Sequence, residues 1–504
     1  MASEEHTAVH WLFGDQLGPH FIDPGRGGPR RGAPLLMIES RAVFRRRRFH
    51  RAKAHLILSA MRHRAAELGD RVRYVKADTY REGLSQVARD GGVTVHHPTS
   101  HRALAFVKSL PSVRVLPARG FLVTHDEFKT WADGHGGAER LRQEDFYRWV
   151  RQTHELLMDA DRPAGGRWNL DHDNRQPPPR GARVLDVPPP YRPNESDIDA
   201  EVRADLDRWS RDGDVAFVGE DAPRAFPATR REALAALRRF ADHRLATFGA
   251  YEDAVLADDP TMSHSLLSSS LNLGLLDPAE CVELAEERWR SGDAPLNSAE
   301  GFVRQIAGWR EFVWHLYWYF GDRYRAGNVL RHHAPLPDWF TELSPEGTEA
   351  NCLSHVLGQV RETGWTHHIP RLMILGSFAL QRGWEPRAVT DWFHRSFVDG
   401  YDWVMVPNVV GMSQYADGGR MTTKPYTSGG AYIDRMSDFC RPCRYKPSVR
   451  VGEDACPFTA GYWNLLHRHR DRFEHNARMT QAVRGLDRLR DLDALLEQEA
   501  ARED

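Results

Sequence analysis

Over the first 130 or so residues, short apolar runs alternate with amphipathic stretches. The runs Val9–Phe13, Leu35–Ile38, Val72–Val75, Val93–His96 and Val113–Leu116 have the length and β-branched content of strands. Between the second and third lies Phe49–Leu68, whose Leu56, Met61 and Leu68 fall near helical spacing. This β–α–β rhythm predicts an α/β domain built on a parallel, Rossmann-like sheet with helices on both faces. No GxGxxG follows any of these strands, so dinucleotide binding has no support there.

From about Ala132 to Glu220 the pattern loosens. Arg162–Arg192 carries two proline triplets, Pro177–Pro179 and Pro188–Pro190, and few apolar residues, and reads as an irregular surface connector. Beyond Pro227 helical periodicity takes over, in Arg231–Tyr251, Pro278–Arg290, Ala299–Phe320, His367–Gln381 and Pro386–Phe397, with no convincing strand. The expected organisation is an α/β domain (1–131), an interdomain linker (132–226) and an all-α domain (227–504). The charge-rich end, Asp487–Asp504, reads as a solvated helix or frayed tail.

Composition narrows this picture only a little. A chain of 504 residues exceeds one core, in keeping with two domains. No run of about 18 apolar residues appears, so no membrane span is expected. The start, Met-Ala-Ser-Glu-Glu-His, has no basic segment leading into an apolar one, so a cytoplasmic location is expected by default. A net charge of −2 removes any argument for nucleic-acid binding from bulk charge and leaves a local basic patch as the requirement. The 15 Trp, 14 Tyr and 22 Phe suit packing as well as stacking or electron hopping.

Five cysteines change more. Cys440-Arg-Pro-Cys443 and Cys456-Pro457 give C-x2-C-x12-C in a turn-rich stretch, where Pro442 and Pro457 help aim thiolates inward. A closed site needs a fourth ligand. Cys281 sits in a regular helical stretch and reads as a core thiol, whereas Cys352, outside any strong helical pattern, is the better fourth. Spacing alone leaves zinc and a 4Fe–4S cluster equally open.

Three further segments carry a resemblance. Ser265-Leu-Leu-Ser268-Ser-Ser-Leu271-Asn-Leu-Gly274-Leu-Leu-Asp-Pro278, Trp309-Arg310-Glu311-Phe312 and Gly364-Trp365-Thr-His367-His368-Ile-Pro-Arg371 stand in the order found in the cryptochrome/photolyase family. Phe13–Leu17, Asn408–Gly418, Lys424–Gly430 and the four cysteines resemble its iron–sulfur bacterial branch. The resemblance covers almost the full chain. It implies light-driven DNA repair, with FAD in the helical domain, its phosphates held near Ser265 and Ser268 at a helix start. It implies a 4Fe–4S cluster on Cys352, Cys440, Cys443 and Cys456, and an antenna chromophore, 6,7-dimethyl-8-ribityllumazine, in the α/β domain, where Glu39 would meet its ring.

The same resemblance distributes roles. Breaking a cyclobutane dimer needs no acid or base, but reversing a (6-4) photoproduct returns a migrated hydroxyl or amino group and calls for a proton donor, for which histidine is suited. His367 and His368 occupy the histidine pair of (6-4)-type members, where cyclobutane-specific ones usually carry Asn second, and Tyr426 joins them as a pocket donor. Arg371 and Asp399 match a pair beside the isoalloxazine, Asp402 assists, Asn408 faces flavin N5, and Trp392 is the first electron relay. Trp309–Phe312 lies on the helix flooring the substrate pocket. The partner is UV-damaged DNA, flipped into the site. Its phosphates would meet Arg175, Arg180, Lys424, Arg441, Arg444 and Lys446; the run Arg45–Arg48 with Arg51 and Lys53 is either a nucleic-acid patch or a solvated face near the antenna. A monomer is expected. The competing readings are a cryptochrome-like blue-light photoreceptor and a cyclobutane pyrimidine dimer photolyase.

Overall fold

The computed structural model describes residues 8–87, 92–137 and 141–502. The start of the chain read for a signal, and the last two residues of the charged C-terminal stretch, lie outside them. Five parallel strands, β1 (Val9–Leu12), β2 (Leu35–Ser40), β3 (Val72–Ala77), β4 (Val93–His96) and β5 (Val113–Leu116), form a sheet in the order β3-β2-β1-β4-β5. Trp11 pairs with Leu36 on one side and with Val95 on the other. Every residue of β2 is buried because the sheet is covered on both faces. Leu35 and Met37 enter a core shared with the helical half, while Leu36 and Ile38 pack with Trp11, Phe13 and Val75 on the opposite face.

The stretch between the two halves is more ordered than a connector. It holds the helices Gln143–Thr153 and Asp197–Arg211. The first buries Phe146, Tyr147 and Val150. The second starts on a Ser196 capping box and buries Val202, Leu206 and Trp209. Only the proline-rich part keeps the irregular character expected of it, with short turns at Ala164–Gly166 and Asp171–Asp173. The helix His125–Gly134 runs across the boundary set at residue 131.

Beyond residue 229 the described chain is helical. The expected helix Arg231–Tyr251 breaks at Arg244, which turns inward and donates to the carbonyls of Pro188 and Met262. Ala299–Phe320 and His367–Gln381 are not continuous α-helices. Each contains a seven-residue π-helical stretch, Arg304–Arg310 and Pro370–Gly376, and a third spans Pro407–Ser413. Such wide turns are rare and concentrate at functional sites. At the C-terminus, Leu492–Ala501 is a helix docked through buried Leu495 and an ion pair of Glu499 with Arg382 at 2.7 Å. Among the described residues no helix is long and apolar enough to cross a membrane.

Much of the basic run is ion-paired within the protein, although Arg45, Arg46 and Arg48 remain exposed. Arg45 pairs with Asp78 and Asp214, Arg48 with Glu342, and Arg51 with Asp207 and Asp221. Arg47 meets Asp391, and the Lys53 ammonium is buried against the carbonyls of His394 and Gly400. Arg47, Arg48 and Lys53 thus fasten the first half of the chain to the helical half, while Arg45 and Arg51 pair within the first half.

Candidate active site and cysteine centre

Arg371 emerges from the π-helical stretch Pro370–Gly376 and bonds Asp399 twice, Nη1 to Oδ1 at 2.9 Å and Nη2 to Oδ2 at 3.1 Å. Ser268 Oγ donates to the same carboxylate at 2.6 Å, and Asn272 Nδ2 to the Asp399 carbonyl at 3.0 Å. The Arg371 guanidinium lies 4.2 Å over the Phe397 ring, and its Nε donates to the Thr366 carbonyl. Three segments far apart in sequence are thus tied together at Asp399. Next to Ser268, the hydroxyls of Ser269 and Ser270 are buried and have no partner among the described residues, as has the Thr366 hydroxyl. Buried hydroxyls are rarely left so. Together with Ser265, whose Oγ accepts from Leu267 N, they are suited to hold polar groups of a ligand.

His367 and His368 stand beside this cluster, joined by His264, which sequence reasoning missed although it directly precedes Ser265. The His264 ring stacks on His367 at 4.3 Å and meets His368 edge-on at 5.5 Å. Burial, aided by neighbouring positive charge, holds His264 and His367 well below the usual imidazole range, so both are neutral near pH 7. His368 differs: its side chain is 49% exposed, and its Nε2 lies 3.2 Å from Asp253. Tyr426 is half-buried, its phenol raised by burial and lowered by Arg175.

The remaining expected residues scatter. Asp402 faces Arg325 at 2.9 Å, with Arg47 and His394 further off; burial opposes ionisation, but these cations hold the carboxyl well below its usual range. Asn408 donates to the Val404 carbonyl within its own helix. Glu39 is buried, bonded twice by Arg62 and once by the Tyr74 hydroxyl at 2.7 Å. The Trp309–Phe312 motif reaches the junction between the two halves: Glu311, fully buried and pushed up to about 7 by burial, accepts from the amides of Leu122 and Val123. Arg310 caps the Gly120 carbonyl and lies over Phe121. Trp392 is buried, its Nε1 donating to the Phe340 carbonyl at 3.0 Å. From Phe397 under Arg371, aromatic rings continue through Trp392 (5.9 Å), Phe340 (4.3 Å) and Trp384 (4.7 Å) to half-buried Trp339 (6.4 Å).

The four cysteines line one apolar cavity with Ile433, Phe439 and Phe458. Cys352 is not in an irregular segment: it opens the helix Asn351–Thr363, whose Asn351 donates to the Phe439 carbonyl. Cys456 caps Pro457–Arg468. A side chain at Gly430 would meet Cys456 Sγ at 2.8 Å, so glycine is needed for the wall to close. Burial pushes the thiols of Cys440 and Cys352 up, Cys440 to about 12, and their mutual proximity adds to this. Cys281 belongs to a different core.

Residues 10–213 match the family described as deoxyribodipyrimidine photo-lyase-related protein. The chain is 39% identical over 487 residues to a (6-4) photolyase of Agrobacterium fabrum, covering 93% of each. Among solved structures it is similar to a bacterial class III photolyase from Agrobacterium tumefaciens (TM-score 0.54, 17% identity, 100% of this chain and 92% of that one). It is also similar to the cryptochrome of Synechocystis sp. PCC6803 (TM-score 0.52, 16% identity, 80% and 82%). These two likenesses concern the fold.

Proposed function

This chain belongs to the photolyase family, and from that premise we propose that it repairs (6-4) photoproducts in UV-damaged DNA with light, using FAD. The observation that carries the reading is the meeting of the His367–His368 pair with the Arg371–Asp399–Ser268 cluster. Bound, reduced FAD supplies on illumination the electron that opens the lesion. Arg371, fixed from three sides, orients charge beside the ring, and the Ser265–Ser270 hydroxyls hold polar groups of the same ligand. His368, open to solvent and backed by the Asp253 carboxylate, holds the proton for the migrating group, while neutral His367 fixes the position of the lesion. Tyr426 serves as a further pocket donor. Exposed Arg180, Lys424, Arg441 and Lys446 take phosphates, and the damaged pair flips inward. Electrons reach the flavin from Trp339 through Trp384 to Trp392, with Phe340 packed between the last two.

A 4Fe–4S cluster on Cys352, Cys440, Cys443 and Cys456 is supported by their convergence on one apolar cavity, and its role is to join the two helix starts. An antenna ribityllumazine is assigned to the carboxyl edge of the sheet, where Glu39 Oε1, accepting only from Arg62, keeps a lone pair. A cysteine-bound cluster with no disulfide among the described residues suits a reducing, cytoplasmic setting, and a monomer is proposed.

The test illuminates the FAD-loaded protein with two oligonucleotides, one carrying a (6-4) photoproduct and one a cyclobutane dimer. Restored bases are expected from the first only. Repair confined to the second, or none with either, overturns the reading.

A further inference from the structure

Light-driven repair needs two histidines at the lesion, yet three converge. One ring nitrogen from each of His264, His367 and His368 lies within 4.8 Å of the others. His264 and His367 are 9% and 4% exposed. His264 Nε2 and both nitrogens of His367 are buried without a partner among the described residues. A buried polar atom left unsatisfied is destabilising, and here three are gathered in one place. Each neutral imidazole has one lone pair to give. Asp253, accepting from His368 Nε2 at 3.2 Å, leaves the lone pair of that ring on Nδ1 and is the kind of carboxylate that orients metal-bound histidine.

We propose that His264, His367 and His368 form a binding site for a first-row divalent cation of the zinc class, with a fourth position open to solvent. Imidazole nitrogens on tetrahedral zinc stand about 3.4 Å apart, so the rings need close by no more than about 1.4 Å. Magnesium and calcium, which take oxygen ligands, are not expected to bind the three imidazoles. A bound ion takes up the lone pairs at the lesion face. If these histidines serve repair, as proposed above, the ion stops it reversibly.

Zinc chloride is titrated calorimetrically into the full-length protein carrying FAD and its cysteine-bound centre, in metal-free buffer. The wild type is compared with His264→Gln and with His368→Gln, a half-exposed position where folding is little at risk, each checked for its flavin spectrum. One zinc equivalent tighter than about 10 µM is expected, weakened roughly tenfold or more in each variant. In the oxidised protein, bound Cu2+ should show nitrogen superhyperfine splitting that both variants diminish. No such equivalent in the wild type, or unchanged binding in His368→Gln, overturns the site. Zinc that binds without slowing repair overturns the inhibition. Absence of repair in metal-free protein counts against the proposed function and leaves the binding result standing.

Discussion

Replacing Asp399 by Asn tests whether one carboxylate organises the active site. Its side chain is 6% exposed and that of Arg371 17%, so the pair is largely withdrawn from water. Removing one partner of a buried ion pair costs about 3–5 kcal/mol because the other charge is left uncompensated. Asn keeps an oxygen for the Arg371 Nη2 bond and for Ser268, both of which go to Oδ2, which places Asp399→Asn near the lower bound, about 3 kcal/mol. For a domain of the size of the helical half, about 2–4 °C per kcal/mol converts this to a fall of about 6–12 °C in the unfolding midpoint. The flavin itself is the assay: its fluorescence rises on release, so a thermal ramp followed at the flavin band reports this half of the molecule. Purified Asp399→Asn should also carry less flavin per chain. A midpoint within about 2 °C of wild type, with full flavin content, would refute the assignment of Asp399 as the organising group.

Three further outcomes follow from the geometry. Trp392→Phe should slow photoreduction of oxidised flavin at least about tenfold, measured by the loss of its blue absorption with external reductant; an unchanged rate removes Trp392 from the relay. Cys352→Ser should lose most of its iron by elemental analysis while Cys281→Ser keeps it, and equal loss in both would contradict the cavity assignment. Burial lowers Lys53 from 10.5 to about 7, so between those values the unfolded chain binds more protons at this residue and its contribution to stability rises with pH. The midpoint of wild type relative to Lys53→Met should therefore climb from pH 7 to pH 10, and parallel curves would show that Lys53 does not titrate on unfolding.

The strands were legible because a sheet covered on both faces writes its strands as unbroken apolar runs. Helix existence was legible too, but not where helices widen: over seven residues, apolar spacing hardly separates a turn of 3.6 residues from a π turn, so Ala299–Phe320 reads as one helix. Cys352 was placed by its chemistry, while its own helix Asn351–Thr363 escaped because Gly358 and several polar residues dilute the stripe. His264 had no spacing signal of its own, being joined to His367 only by folding. The partners of the run Arg45–Arg48 escape for a related reason. Its charge is plain in the sequence, and the acids that answer it, such as Glu342 and Asp391, lie hundreds of residues away.

The three π-helical stretches restrict how this site can be altered. Each holds an extra residue in its turn, and Arg310 at the junction of the two halves and Arg371 at the site sit within two of them. Deleting that residue would restore an ordinary helix and swing everything after it by about 100° around the axis. Mutagenesis here can exchange side chains freely, but even a single insertion or deletion would turn the catalytic groups toward the wrong neighbours.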